Sequence, residues 1–388
     1  MSFSVMKFFL LGMVLTAQVA CLPSGIRQQT HSWDFSGGLK VGDILDTKTG
    51  EVISYDTLIS ELGRQRLIYV GETHVSSEDH RVQLKIMKGL YEQNPTLILA
   101  MEMFPREVQP ALDQYVNGSI SEEVFLQEVN WEKNWGYPFG LYRDILTWAK
   151  DHQVRIIGLN APREIVSKIA QSGLSSLTAS ERDRVARDFH LNDHAHRDYI
   201  RQQFRHHPKG QISDFDSFLE AQLAWEETMA ETLAETLASS PPQVQIFVLI
   251  GKGHISDRVG VPRLTYERLE QSYRTIAPIA VDFPDRTSDP NIADFVWITD
   301  RSEQTHRKRL GAMFRQLPSA MGLEILGVLP DSPAAKAGIL KGDILYMVDG
   351  VPVTSLEEAH RAFSKKPVHE ILLKREGQTV SLTVTLSP

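Results

Sequence analysis

The chain holds one cysteine, Cys21, among 388 residues, so no intrachain disulfide is open to it. It has no basic excess: 41 lysines and arginines stand against 49 aspartates and glutamates, a net charge of −8. Phosphate backbones call for a basic face, so nucleic acid is excluded as the main partner. The N-terminal apolar run, Phe8 to Ala17, covers ten residues, too few to span a bilayer, which takes about 20. Two motifs are missing as well. No Gly-x-Ser-x-Gly elbow presents a serine nucleophile. Gly251-Lys252-Gly253-His254 follows an apolar run, but it lacks the third glycine and the spacing of a dinucleotide fingerprint, and there is no phosphate loop.

What is there begins with a leader. Lys7, the apolar run and the small residue Ala20 describe a secretory signal over residues 1–20. A lone cysteine at the cleavage point resembles the lipobox of bacterial lipoproteins, with one departure: Gln18 stands where that motif usually has leucine. The resemblance implies lipidation at Cys21, a polar tether over residues 21–40, and a bacterial cell-envelope location with the membrane as partner through the anchor. Leu22, rather than aspartate, follows the cysteine, which leans toward the outer membrane, facing the periplasm.

From residue 41 to 300, polar groups recur at the carboxyl ends of short apolar runs. Leu67–Val70 ends in Gly71-Glu72-Thr73-His74, Leu97–Ala100 in Met101-Glu102, Val154–Leu159 in Asn160, and Ile246–Ile250 in Gly251-Lys252-Gly253-His254. Helical patterns lie between them, over Asp79–Gln93, Met103–Gln127 and Ser213–Leu237. The alternation predicts an α/β fold with a mainly parallel sheet flanked by helices. Ligands of such sheets sit outside the strand carboxyl ends. Glu72, His74, Glu102, Asn160 and His254 are therefore expected to converge, with His80 in reach from the next helix. A carboxylate and an imidazole two residues apart on an extended chain point the same way. That pairing suits a divalent metal, an acid/base pair, or an anionic ligand bound through histidine.

The segments YVGETHVSSEDHRVQ, LAMEMF, VNWEKNWGYPFGLYRDIL, IIGLNAPREI, AQLAWEETMAETL and IGKGHISDRVGVP together resemble the ChaN-like haem-binding lipoproteins of bacteria. These belong to a superfamily with Tiki proteases, TraB proteins and erythromycin esterases. The resemblance implies haem or a related iron chelate as ligand, a role in iron uptake, and haem held between the protomers of a homodimer. The superfamily's Gly-x-x-His motif matches Gly71 to His74, its second-strand glutamate Glu102, and its late histidine His254. In enzymatic branches these positions carry metal or a general base, so the rival expectation is a metal-dependent hydrolase using Glu72, His74, Glu102 and His254. Further haem-ligand candidates are His190 and His194, spaced i, i+4 if their segment is helical, and Tyr199 as a phenolate ligand. Their charged neighbours also fit a solvated helix. Trp131, Trp135, Tyr137, Phe139 and Tyr142 crowd one loop, where they line a flat apolar ligand or pack on the core.

A second unit is expected over residues 305–388. SPAAKAG, KGDIL and VDG resemble the PDZ domains of bacterial envelope proteases. The resemblance implies a small α+β domain whose groove, beside a strand at Leu310–Phe314, takes a peptide or protein C-terminus by strand addition. Leu310, Gly311, Ala312 and Met313 stand where that family's amides receive the carboxylate, and a helix at Leu356–Phe363 closes the pocket. The third reading is a PDZ scaffold with an inert α/β domain.

Overall fold

The computed structural model describes residues 38–386, apart from 191–192, 206–213, 282–290, 301–309, 318–321, 330–331 and 364–365. The expected signal segment and Cys21 lie outside the described residues. Two compact units divide at Ser302/Glu303.

The first unit is built on one sheet. Its strands are β1 (Ile44–Asp46), β2 (Val52–Ile53), β3 (Leu67–Glu72), β4 (Leu97–Pro105), β5 (Arg155–Asn160), β6 (Gln245–Gly251), β7 (Tyr273–Ala280) and β8 (Phe295–Thr299), in the order β2-β1-β8-β7-β3-β6-β4-β5. The six from β8 to β5 are parallel, and β1 and β2 add antiparallel at one edge. The central strands β3, β6 and β4 are buried at every residue, because helices cover both faces. This order sets the ends of three segments side by side: Glu72 pairs with Gly251, and Met101 with Leu249.

The helices are α1 (Tyr55–Gly63), α2 (Ser77–Gln93), α3 (Gln109–Val116), α4 (Glu122–Glu128), α5 (Trp131–Asn134), α6 (Arg143–Asp151), α7 (Arg163–Ser172), α8 (Ala179–Arg182), α9 (His194–Arg205), α10 (Phe215–Ser239) and α11 (Val261–Leu269). Strand alternation splits the core in two. Val70, Leu99 and Phe247 pack with Ile86 and Leu90 of α2 and Leu146 of α6 on one face. Tyr69, Ala100 and Val248 pack with Met229 and Leu233 of α10 and Leu264 of α11 on the other. Ser76 caps α2 by accepting from the Asp79 amide, and Asp214 caps α10 through Ser217.

Two elements depart from expectation. The helix expected from Met103 does not start there, since β4 stays extended to Pro105 and the first full helix opens at Gln109. Proline disfavours helical backbone in the residue before it, and Met103 and Phe104 are buried in the core. His190 and His194 do not share a helix, because α9 opens at His194.

The second unit pairs β9 (Ala312–Gln316), β10 (Leu323–Val328), β11 (Ile344–Val348), β13 (Val368–Arg375) and β14 (Gln378–Thr385) in the antiparallel order β14-β13-β11-β10-β9, with β12 (Val351–Pro352) on β11. Helices α12 (Pro333–Lys336) and α13 (Leu356–Phe363) complete it. Its own core joins Leu323, Ile325, Leu345, Ile371 and Val384 to Ala359 and Phe363 of α13.

Candidate functional site: a carboxylate–imidazole cluster at the strand ends

Glu72, the last residue of β3, is 2% exposed, and its carboxylate is saturated with donors. Oε1 accepts from His74 Nδ1 at 2.8 Å and from the Tyr142 hydroxyl at 2.6 Å. Oε2 accepts from Gln83 Nε2 at 2.9 Å and lies 3.3 Å from His80 Nε2. A carboxylate can only accept, so His74 Nδ1 carries a proton. Burial pushes the Glu72 carboxyl up. The charge of His80 and the hydrogen bonds of His74 and His80 outweigh it, and the group is held well below the usual carboxylate range. Burial lowers His80 in turn, but Glu72, Asp79 and the Ser76 carbonyl raise it above the ordinary imidazole value.

The loop after β3 is pinned at Asp79. Its Oδ2 accepts from the Thr73 amide at 2.7 Å and meets Lys252 Nζ at 2.8 Å, and its Oδ1 accepts from Ser76 Oγ at 2.7 Å. Lys252 thus ties the β3 loop to the end of β6. Gly251 explains itself by space: a Cβ there would stand 2.9 Å from His74 Cε1 and 3.4 Å from Glu102 Oε2.

From β4, Glu102 (5% exposed) accepts from the Gly251 amide at 2.6 Å, and its Oε1 faces His254 Nε2 at 3.4 Å. His254 Nδ1 donates to Glu226 Oε1 at 2.7 Å, and Glu226 Oε2 lies 2.5 Å from His196 Nε2. Burial alone would depress His254. Glu102 and Glu226 reverse that and push it up to about 10. Burial would raise Glu226, but His196 and His254 hold it at about 2. Glu102 is lowered too, its burial being outweighed by His254, His74 and the Gly251 amide.

The structure therefore brings Glu72, His74, His80, Glu102 and His254 to one place. Asn160 reaches the same strand ends, but its amide serves the main chain, donating to Glu102 O at 3.0 Å and accepting from the Ala161 amide at 2.8 Å. It staples β5 to β4 where their register breaks between Met101 and Pro105. The aromatic loop divides. Trp131, Phe139 and Tyr142 are buried in the core. Trp135 stands edge-on to the His74 ring at 4.7 Å, and Tyr137 lies tilted against it at 5.1 Å, both half-buried. His190 is bonded to Glu227 through its amide and Nδ1, His194 is exposed, and the Tyr199 hydroxyl donates to Gly253 O at 2.7 Å.

The expectation of a divalent metal is not supported. Among the described residues, no group of three or more histidine, cysteine, aspartate or glutamate side chains is arranged to hold a metal ion. The reason lies in the pairing: the carboxylate oxygens already face imidazole, phenol and amide donors. Sequence reasoning missed Glu226, Gln83 and the Asp79–Lys252 clasp. Glu226 had a signal, since it falls between Leu223 and Met229 on the apolar face of a helix without proline or glycine.

In the second unit, Leu310 and Gly311 precede β9, while Ala312 and Met313 begin it. Gly311 has φ +76°, and a Cβ there would stand 2.2 Å from Ser332 Cβ. The Leu310 and Gly311 carbonyls accept from the Ala334 and Leu329 amides, at 2.7 and 2.8 Å. Ala312 and Phe314 turn to the core and Met313 outward. β9 ends the strand order.

The first unit is an α/β protein whose strand ends hold a buried acid–imidazole cluster beside an aromatic wall, and the second is an antiparallel β-rich domain with a flanking helix. Residues 58–264, more than half of the chain, match the family described as haem-binding uptake, Tiki superfamily, ChaN, and the chain belongs to that family. Residues 324–384 match the PDZ domain family. A solved structure of cofacial haem binding to ChaN of Campylobacter jejuni is 21% identical, with a TM-score of 0.50 over 66% of this chain and 95% of that one, and it shows the same fold. Among curated proteins, RETICULATA-RELATED 5 of Arabidopsis thaliana, a chloroplastic protein, is 23% identical over 60% of this chain, and serine protease HTRA1 of Xenopus laevis is 33% identical over 20% of it. The aligned stretches span 34% of the first relative's length and 17% of the second's.

Proposed function

We propose that the first unit binds haem, or a related iron chelate, at the strand ends, against the wall that His74, Trp135 and Tyr137 form. Family membership supports haem as the ligand class. The observation that carries the location is the half-buried Trp135–Tyr137 pair, ring centroids 5.3 Å apart, beside an imidazole whose Nδ1 is already committed to Glu72. A porphyrin is flat and apolar and gains from aromatic faces, while a fixed imidazole and buried charges orient its polar parts. The second unit would recruit an extended peptide or protein C-terminus along β9. Lipidation at Cys21 would hold both at the cell envelope, on the periplasmic face of the outer membrane, where haem or iron uptake takes place. A second copy of the chain would close over the ligand.

The test is titration of haemin into the purified chain lacking residues 1–21. A shifted Soret band that saturates at a fixed haem-to-chain ratio supports the reading. A spectrum identical to haemin in buffer removes it. A second reading, ester or peptide hydrolysis with His74 as general base, is favoured by the Glu72–His74 hydrogen bond, which orients an imidazole the way such bases are oriented. It requires turnover that His74→Ala abolishes.

A further inference from the structure

Behind the cluster, α10 supplies a carboxylate that the haem reading leaves without a role. Glu226 is 3% exposed and lies on the buried side of α10, between Leu223 and Met229. Its two oxygens are divided between histidines of different elements. Oε1 accepts from His254 Nδ1 at 2.7 Å, and Oε2 lies 2.5 Å from Nε2 of His196, which is 0% exposed and sits in the first turn of α9. The second nitrogen of His254 faces Glu102 at 3.4 Å. His254 is hydrogen-bonded to Glu226 through Nδ1 and turns Nε2 toward Glu102 at ion-pair distance, and two carboxylates flanking one ring favour its imidazolium form. The same α9 sends the Tyr199 hydroxyl to Gly253 O at 2.7 Å, on the residue before His254. Helix α9 is thus fastened to the Lys252–His254 turn twice, once through Glu226 and once directly. Burying so many charges is costly unless each is paired, so removal of the shared one unbalances both histidines.

We infer that Glu226 is a positioning residue of the strand-end site: it fixes His254 as a cation against Glu102, and through His196 it docks α9 on the site. His254 is then a structural charge that keeps Glu102 ionised, and Glu226, acting through His254, governs the geometry of the site. The binding arm of the test rests on the haem reading; the other two arms do not.

The experiment uses the chain lacking residues 1–21, isotopically labelled, in wild type, Glu226→Gln, Glu226→Asp and His196→Gln forms. Ring nitrogen shifts of His254, assigned by its loss in His254→Gln, report protonation at pH 8. Amide exchange reports the docking of α9. Haemin titration reports the site. In wild type, both His254 nitrogens should read as protonated. Glu226→Gln, which keeps the shape and removes the charge, should convert the ring to a single neutral tautomer. It should also speed α9 exchange and weaken haemin by about tenfold each, the worth of one hydrogen bond to a charged group. Glu226→Asp should restore the protonated ring in part, and His196→Gln should loosen α9 while leaving His254 doubly protonated. A Glu226→Gln protein with His254 still doubly protonated and α9 exchanging as in wild type overturns the inference. Should Glu226→Gln fail to fold, His196→Gln decides, and unchanged α9 exchange there overturns it equally. If wild type does not bind haemin, the haem reading fails and the ring and exchange results still judge Glu226.

Discussion

Replacing Tyr142 with phenylalanine removes a single oxygen from a fully buried ring, and with it one of the donors on Glu72. Little shape is lost, so the cavity contribution is small. The bond itself is short, 2.6 Å, and is made to an ionised group. Hydrogen bonds to charged groups contribute about 1.5–3 kcal/mol. Glu72 keeps His74, Gln83 and His80 in the variant, which argues for the lower half, about 1.5–2 kcal/mol, or roughly a 10- to 30-fold change in the unfolding equilibrium. All six tryptophans precede residue 303, so tryptophan fluorescence in a urea titration follows the first unit alone. The pH dependence carries a sign. The Glu72 carboxyl is depressed in the folded state, so its stabilisation is present above its ordinary value of 4.5 and is lost as pH falls through the depressed value. Tyr142→Phe removes a donor to the charged form, raises the folded value, and so loses that stabilisation at higher pH. The gap between wild type and variant should be level from about pH 5 to 8 and close in acid. A difference under about 0.5 kcal/mol at pH 7, or a gap that widens in acid, refutes the reasoning.

The wider cluster predicts an optimum. His254 is raised to about 10, so its contribution is complete below its ordinary 6.5 and is lost as pH rises through about 10; Glu226, held at about 2, contributes above 4.5 and is lost as pH falls toward 2. Stability of the first unit should therefore decline from pH 6.5 to 10, and His254→Gln should flatten that decline; an unchanged slope contradicts the assignment. Gly311→Ala puts a methyl into Ser332 at a positive φ, so peptide binding to the full chain should weaken by about tenfold or more while tryptophan-detected unfolding stays put; equal binding shows that the loop before β9 does not receive the peptide. Amidating the peptide's terminal carboxylate should weaken binding likewise. Cys21→Ser should move the protein from the membrane to the soluble envelope fraction, and a variant that still pellets after a high-salt wash rules out lipidation as the anchor.

Glu72, Glu102 and His254 were legible because each follows a short apolar run, and a parallel sheet gathers the ends of such runs whatever their separation in sequence. Strand order, with β3, β6 and β4 adjacent, then does what periodicity cannot announce: it chooses which ends touch. Asn160 shows the limit of that logic, since its position followed from the pattern and its partners, a main-chain carbonyl and amide, did not. Glu226 was hidden for another reason. A helical pattern tells which face is buried but not which end of the sheet a given turn meets. Met103–Pro105 misled because it reads as the start of a helix, while burial of Met103 and Phe104 in the core and the proline hold it extended. His190 and His194 depended on a shared helix that starts only at the second of them. In the second unit, glycine and aspartate punctuation marks turns directly: Asp349 and Gly350 both take positive φ between β11 and β12.

The most direct test of the account is a haemin titration comparing wild type with Trp135→Leu and Trp148→Leu. Trp135 stands 4.7 Å from His74 at the carboxyl ends of the strands. Trp148 lies near the end of α6, stacked on His152 at 4.1 Å, toward the strands' amino ends. Haem seated on the strand-end wall predicts saturable binding by wild type and Trp148→Leu, and at least about tenfold weaker binding by Trp135→Leu, since an aromatic contact and its buried area contribute on the order of 1.4 kcal/mol or more. Equal affinity in all three, or a loss confined to Trp148→Leu, would contradict it.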